Sequence, residues 1–289
     1  MKYFNFVVAL LLVLIYLSGS IPPSERFNLW IVSFIIPFAL AANIVLIVVA
    51  VAMRKKSTLF LLIAFVFGGN YLLGTVGIKS LFKSGDREHE NSFEVLNYNL
   101  SSFNVGYHKG MGRAEFLKAD SIQRNMISWV LNSDVDIQCY QEFPHNPDAN
   151  FDLLKEFENR GYSHYFSAGE TKDDQWLFGI VIISRFPIVS TGDVLASSNG
   201  FNRVAYADVQ VGADTIRIIN VHHQSMQMKA FHPGYSEDFD EQKRNVKVVL
   251  RKLKSGVFER SRQIAALVKF IEGSPYPVVC AGDFNEVPY

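Results

Sequence analysis

Four apolar runs of strand length each end in a carboxylate, an amide or an imidazole. Phe93-Glu94-Val95-Leu96 runs into Asn97-Tyr98-Asn99, and Asp136-Ile137-Gln138-Cys139-Tyr140-Gln141 into Glu142. Ile218-Ile219-Asn220-Val221 runs into His222, and Val278-Val279-Cys280-Ala281-Gly282 into Asp283, with Asn285 two residues on. Side chains alternate along a strand, so Asp283 and Asn285 can point the same way. Any one of these is an ordinary turn former or a structural histidine. Together, a Glu, a His and an Asp-Asn pair are an inventory for metal-assisted cleavage of a phosphate ester. Such cleavage must neutralise charge on an already anionic group, which an oxygen-ligated Mg2+ does with few protein carboxylates. A second carboxylate can orient or deprotonate water, while imidazole and amide groups hold the non-bridging oxygens.

These side chains must be positioned by elements that the hydropathy pattern lets us place. Strands are expected at Phe93–Leu100, Ile137–Glu142, Phe178–Ser184, Val204–Val211, Thr215–His222 and Val278–Asp283. Gly212-Ala213-Asp214 reads as a hairpin turn. Helices are expected at Ala119–Leu131, Asn150–Arg160, Glu237–Leu253 and Phe258–Glu272. Hairpin strands with helices interspersed predict an α/β (α+β) domain, two stacked mixed sheets covered by helices.

The chain before this domain has a different composition. Of 28 basic and 28 acidic residues, only Lys2, Glu25, Arg26, Arg54, Lys55 and Lys56 precede residue 79, leaving 23 basic and 27 acidic after it. Leu29–Met53 and Thr58–Ile78 carry no charge, and the first of these runs would make roughly 37 Å of helix at ~1.5 Å per residue. The pattern predicts a transmembrane region over 1–78, with spans at about 3–18, 29–53 and 58–78, and a linker at 79–91. A signal peptide ending at Ser18-Gly19-Ser20 is the alternative for the first run. Arg54-Lys55-Lys56 would stay cytoplasmic, so the expected location is a multi-pass cell-membrane protein with its domain on the extracytoplasmic side. The net acidity after residue 79 gives no broad basic field for nonspecific nucleic-acid binding. Cys139 and Cys280 sit mid-strand, where buried free thiols are common.

Asn-Tyr-Asn-Leu, Asp-Ile-x-Cys-x-Gln-Glu, Ile-Ile-Ser-Arg-Phe-Pro-Ile, Asn-Val-His and Gly-Asp-Phe-Asn, in that order, resemble the endonuclease/exonuclease/phosphatase family. The resemblance covers 92–289 and implies a four-layer α/β sandwich with Mg2+, or alternatively Mn2+, as cofactor. Glu142 would be the principal metal ligand and Asn99 would contact metal or phosphate. His222 would touch the scissile phosphate, Asp283 would position or activate water, and Asn285 would bind phosphate. Arg203 and Asn220 would join Asn99 in substrate binding, and Ser184-Arg185 would brace the fold. Two departures matter: Ser101 stands where some members have an acidic metal ligand, and no Ser-Asp-His follows Gly-Asp-Phe-Asn. The domain is therefore expected to be incomplete, lacking C-terminal strands, as in a fragment. The implied activity is phosphodiesterase or phosphatase action on nucleic acid or phospholipid, with the lipid bilayer as a further partner. The alternatives are a non-catalytic membrane protein that binds phosphate ligands, or an inactive fragment. Oligomeric state is left open.

Overall fold

The computed structural model describes residues 2–21, 32, 34–75, 92–104, 121–146, 152–169, 177–196, 202–225 and 239–285. By contact density the chain divides into two compact units. One is Met1–Glu88 with Met228–Ser261 and Glu286–Tyr289; the other is His89–Gln227 with Arg262–Asn285. The expected linker at 79–91 lies outside the described residues.

In the first unit, α1 (Lys2–Gly19), α2 (Ile36–Ala52) and α3 (Thr58–Thr75) share an apolar cluster that includes Leu12, Tyr16, Ile36, Leu40, Leu61 and Ala64. Buried polar contacts cross it: Asn5 Nδ2 donates to Ser57 Oγ at 2.9 Å, and the Tyr71 hydroxyl donates to the Tyr16 carbonyl at 2.7 Å. The expected membrane spans are not found. Among the described residues no helix is long and apolar enough to cross a membrane. Helices of 18, 17 and 18 residues reach about 26–27 Å at ~1.5 Å per residue, short of a ~30 Å hydrocarbon core. Hydropathy ran the second span from Leu29; the helix described there is Ile36–Ala52, preceded by a turn at Phe34 and Ile35. Pro37 lacks an N–H and fits the first turn of a helix rather than its interior. The multi-pass assignment, and the extracytoplasmic placement built on it, fall with the spans.

The second unit holds two four-stranded sheets. The first has the order β1 (Val95–Asn99), β2 (Ile137–His145), β4 (Leu177–Ser184), β3 (Ser163–Ala168). The second has the order β5 (Ile188–Ala196), β6 (Arg203–Val211), β7 (Asp214–His222), β8 (Val278–Asp283). Each sheet is mixed: β1 pairs parallel to β2 and β7 parallel to β8, and the other neighbours are antiparallel. Period-two alternation sorts the side chains. Ile137, Cys139, Ile182, Ala207, Val209 and Ile218 meet in the seam between the sheets. Tyr140, Phe143, Val181 and Ile183 face outward onto Val130 of α4 (Ser121–Asn132) and onto Leu153, Leu154 and Phe157 of α5 (Leu153–Asn159). On the far side, Val204, Ile219 and Val221 pack on Leu267, Phe270 and Ile271 of α6 (Phe239–Glu272).

Some elements differ from expectation. The two helices predicted at Glu237–Leu253 and Phe258–Glu272 are one helix of 34 residues. Lys254-Ser255-Gly256-Val257 contains no proline, and an interior glycine costs a helix only about 1 kcal/mol. Strands β3 and β5 carry too many polar residues (Ser163, His164 and Ser167; Ser190, Thr191 and Asp193) to stand out by alternation, and they form because β4 and β6 offer them partners.

Two tests follow. Burial pushes the His145 imidazole below its ordinary value of 6.5, against the opposing pull of the Asp152 carboxylate 3.4 Å away. The unfolded chain then takes up a proton first as pH falls below 6.5, so stability drops from there down to the folded value. Acidification from about pH 7 to about pH 5 should lower the Tm of wild type more than that of His145→Leu; equal slopes would remove the assignment. Gly282 has φ +152°, and a Cβ there would lie 2.1 Å from the Val221 carbonyl oxygen. In denaturant titration Gly282→Ala should lose more than about 2 kcal/mol by forcing β8 from β7, and a loss under about 0.5 kcal/mol would contradict this packing.

Candidate active site

The seam between the sheets changes chemistry along its length. It is apolar at Ile137, Cys139, Val209 and Ile218. The next side chains on the same faces of β1, β2 and β7 are amides: Asn97, Gln141 and Asn220. Beyond them β1, β7 and β8 end in Asn99, His222 and Asp283, while Glu142 stands at a break inside β2, which runs on to His145 rather than ending at Glu142 as expected. Pairing sets these ends level, because Asn99 is the Cα partner of Gln141 and His222 that of Asp283.

Glu142 is the exception that alternation would misplace. It follows the seam-facing Gln141, so a regular strand would send it outward. Instead the register with β4 breaks between Tyr140 and Phe143, and Glu142 adopts φ +51°. A non-glycine residue in that region stores on the order of 1–3 kcal/mol. The bulge turns the carboxylate back to the seam, where Glu142 Oε1 accepts from Asn99 Nδ2 at 3.3 Å and lies 3.7 Å from His222 Nε2.

The Asn99 amide also donates to Asp283 Oδ2 at 2.9 Å. One NH2 group thus touches a carboxylate from each sheet, and the two oxygens are no more than about 6 Å apart. At an effective dielectric of ~20 their repulsion is on the order of 3 kcal/mol or more. The amide offsets part of it by donating to both carboxylates. Its own Oδ1 is turned away, accepting from the Ser101 N–H at 2.8 Å, on a turn where Ser101, Ser102 and Phe103 all have positive φ. Asp283 is steadied through Oδ1, which accepts the backbone N–H of Asn285 at 2.9 Å.

The other expected residues are committed within the protein. Arg203 Nε donates to Ser167 Oγ at 2.6 Å, and its Nη2 pairs with Asp193 at 2.7 Å. Asn220 is fully buried and donates to the carbonyls of Tyr140 and Val181 at 3.0 and 2.9 Å, stitching one sheet to the other. Asn285 Nδ2 donates to the His223 carbonyl at 2.8 Å, closing the turn after β8. Arg185 braces the fold through Asp134 and the Tyr162 hydroxyl. Gln141 and Asn97 stand in the motifs quoted from the sequence but were given no role there, although amides at seam positions of strands were the available signal. Both cysteines are free, and burial raises their thiols to about 12 for Cys139 and about 11 for Cys280, which removes thiolate chemistry from the options.

The donor set suits a hard divalent cation. Glu142 and Asp283 offer carboxylate oxygens around a point already filled by a positive group end, the Asn99 NH2. Among the described residues no group of three or more His, Cys, Asp or Glu is placed to hold a metal ion. Few protein oxygens with positions left for water is the arrangement Mg2+ tolerates. A prediction follows from the crowding: Asn99→Asp puts a third carboxylate where the shared donor was. In EDTA its Tm should fall below that of wild type, and added Mg2+ should raise it by more than it raises wild type. Equal Mg2+ shifts would show that the three positions do not share a cation.

The model of a "Domain of unknown function (DUF8431)" matches residues 1–75. No curated protein matches the chain. Similar solved structures include D. rerio TDP2 complexed with single strand DNA product, at 14% identity and TM-score 0.39, covering 66% of this chain and 60% of that one. Beta toxin from Staphylococcus aureus, as a beta hairpin deletion mutant, gives 13% identity and TM-score 0.41 with 68% of each chain covered. The 3′ phosphatase NExo from Neisseria, bound to product DNA hairpin, gives 18% and 0.37 over 68% of this chain and 60% of that one. The chain spans 62% and 60% of the length of the two D. rerio structures it matches. The Endonuclease/Exonuclease/phosphatase family model matches residues 96–288, the stretch that builds both sheets and the seam between them, and the chain belongs to that family.

Proposed function

We propose that this protein hydrolyses a phosphate ester by attack of water at the open end of the seam. The observation that carries the reading is the convergence of Glu142 and Asp283, from different sheets, on one amide, with His222 Nε2 3.7 Å from Glu142. Glu142, with Asp283 beside it, would hold a divalent cation, Mg2+ or Mn2+, which when bound neutralises charge on the phosphate oxygens. Asp283, oriented by the Asn285 N–H, is the carboxylate placed to align water and accept its proton. Asn99 is the group that adjusts: its amide leaves the carboxylates or turns its donor to a phosphate oxygen as substrate enters. His222, when protonated, puts positive charge beside the non-bridging oxygens. Arg203, Asn220 and Asn285 turn side-chain donors to partners inside the protein and act by shaping this end of the seam. Nucleic acid is the first substrate class to test and phospholipid the second.

The direct test is hydrolysis of bis(p-nitrophenyl) phosphate, then of DNA, RNA and phospholipid, by the full-length protein with Mg2+. Chelation should abolish turnover. Glu142→Gln and Asp283→Asn should each lower kcat by roughly 100-fold or more, the scale on which single catalytic groups act. Wild type and both variants turning over alike would remove the hydrolase reading. Phosphate-ester binding without turnover would leave a phosphate-ligand receptor in its place.

A further inference from the structure

We propose that Gln141 is a positioning residue for the site, and that its side-chain amide sets the alignment of the Glu142 carboxylate with Asp283 and His222. The inference rests on the hydrolase reading above. Gln141 has no solvent exposure and touches none of the reacting positions itself. Its Nε2 donates to Asn97 Oδ1 at 2.8 Å and to Asn220 Oδ1 at 2.6 Å. Asn97 in turn donates to the Gly282 carbonyl at 3.4 Å, and Asn220 to the Tyr140 and Val181 carbonyls at 3.0 and 2.9 Å.

Each contact falls next to a site residue. Asn97 lies two positions before Asn99 on β1, so the two share a face, and Asn220 stands in the same relation to His222 on β7. Gly282 immediately precedes Asp283, and Gln141 immediately precedes Glu142. The Gln141 NH2 group therefore ties β2 to β1 and β7 directly, and the Asn97 amide carries the tie on to β8, a single side-chain layer behind the site. The same residue anchors the bulge, because its carbonyl accepts the Leu100 N–H at 3.0 Å while its side chain is held across the seam. Glu142 can keep φ +51° only if its neighbours over-determine it.

The chemistry of the side chain supports a role for the donor specifically. Among the described residues Gln141 Oε1 is buried without a hydrogen-bond partner. A buried orphan acceptor is destabilising, and a methionine of similar length would avoid it. What glutamine adds over methionine is the NH2 group facing two amide oxygens. Asn220 cannot turn to compensate, since its own NH2 is committed to two main-chain carbonyls.

The test uses full-length wild type, Gln141→Met, Gln141→Glu and Asn97→Ala. It reads steady-state kinetics, Mn2+ affinity by electron paramagnetic resonance, and melting. Gln141→Met should melt cooperatively yet lose at least roughly 30-fold in kcat, with KM within about 3-fold, as expected when catalytic groups are slightly misplaced. Its Mn2+ affinity should fall at least about 5-fold, as when a group supporting a metal ligand is removed. Gln141→Glu lacks the donor when ionised, so its activity relative to wild type should rise as pH falls and the buried carboxyl protonates. Asn97→Ala removes one leg of the network at an exposed position and serves if Gln141→Met does not fold; it should lower kcat and Mn2+ affinity in the same direction. Gln141→Met or Asn97→Ala with kcat and Mn2+ affinity within about 2-fold of wild type would overturn the proposal. If wild type and Glu142→Gln hydrolyse alike, it is the hydrolase reading that has failed, and Mn2+ affinity alone then decides on Gln141.

Discussion

Two carboxylates held close together in a partly buried seam define this domain. Like charges in such a place repel, and something that donates hydrogen bonds to both eases the repulsion. Here that something is the Asn99 amide, donating to Glu142 and to Asp283 at once. The arrangement is a compromise: the amide is neutral and each carboxylate is left wanting a stronger partner. On the function proposed above, a seam end built this way would receive a cation and then an anionic ester. Most of the rest of the domain can be understood as what is needed to bring these groups from opposite sheets to one point.

The sheets do so by grading the polarity of their shared face. Apolar residues close the seam at one end, where burial alone holds the sheets together. In the middle, Gln141 and Asn220, joined by the exposed Asn97 on β1, replace that non-directional attraction with directed hydrogen bonds, which fix how one sheet slides against the other. The two carboxylates and the His222 imidazole appear only beyond these amides. The order matters physically. A carboxylate deeper in the seam would face a desolvation cost that the local hydrogen bonds could not offset, and one farther out would be screened by water.

Much of this was legible in the sequence. Polar residues ending apolar strands marked Asn99, Glu142, His222 and Asp283, and the structure brings these four to one end of the seam. Less visible was the device that brings Glu142 there. Alternation gives it the wrong face, and a bulge with a left-handed residue leaves no trace in hydropathy. Asn220 looked like a substrate contact because an amide near a strand end reads alike whether it lines a cleft or locks two sheets; only its buried partners distinguish the cases. The apolar N-terminal runs misled for another reason. Hydropathy counts uncharged residues but does not see where a helix starts, and Pro37 starts one well inside the run that was read as a span.

Anomalous diffraction from crystals of the full-length protein soaked in Mn2+ would locate a bound cation outright. One strong peak is expected at the open end of the seam, within coordination distance of a Glu142 carboxylate oxygen and on the side facing Asp283, with the Asn99 amide displaced from between them. A Glu142 carboxylate bearing no manganese, with Asn99 still bridging the two acids at saturating metal, would contradict this expectation.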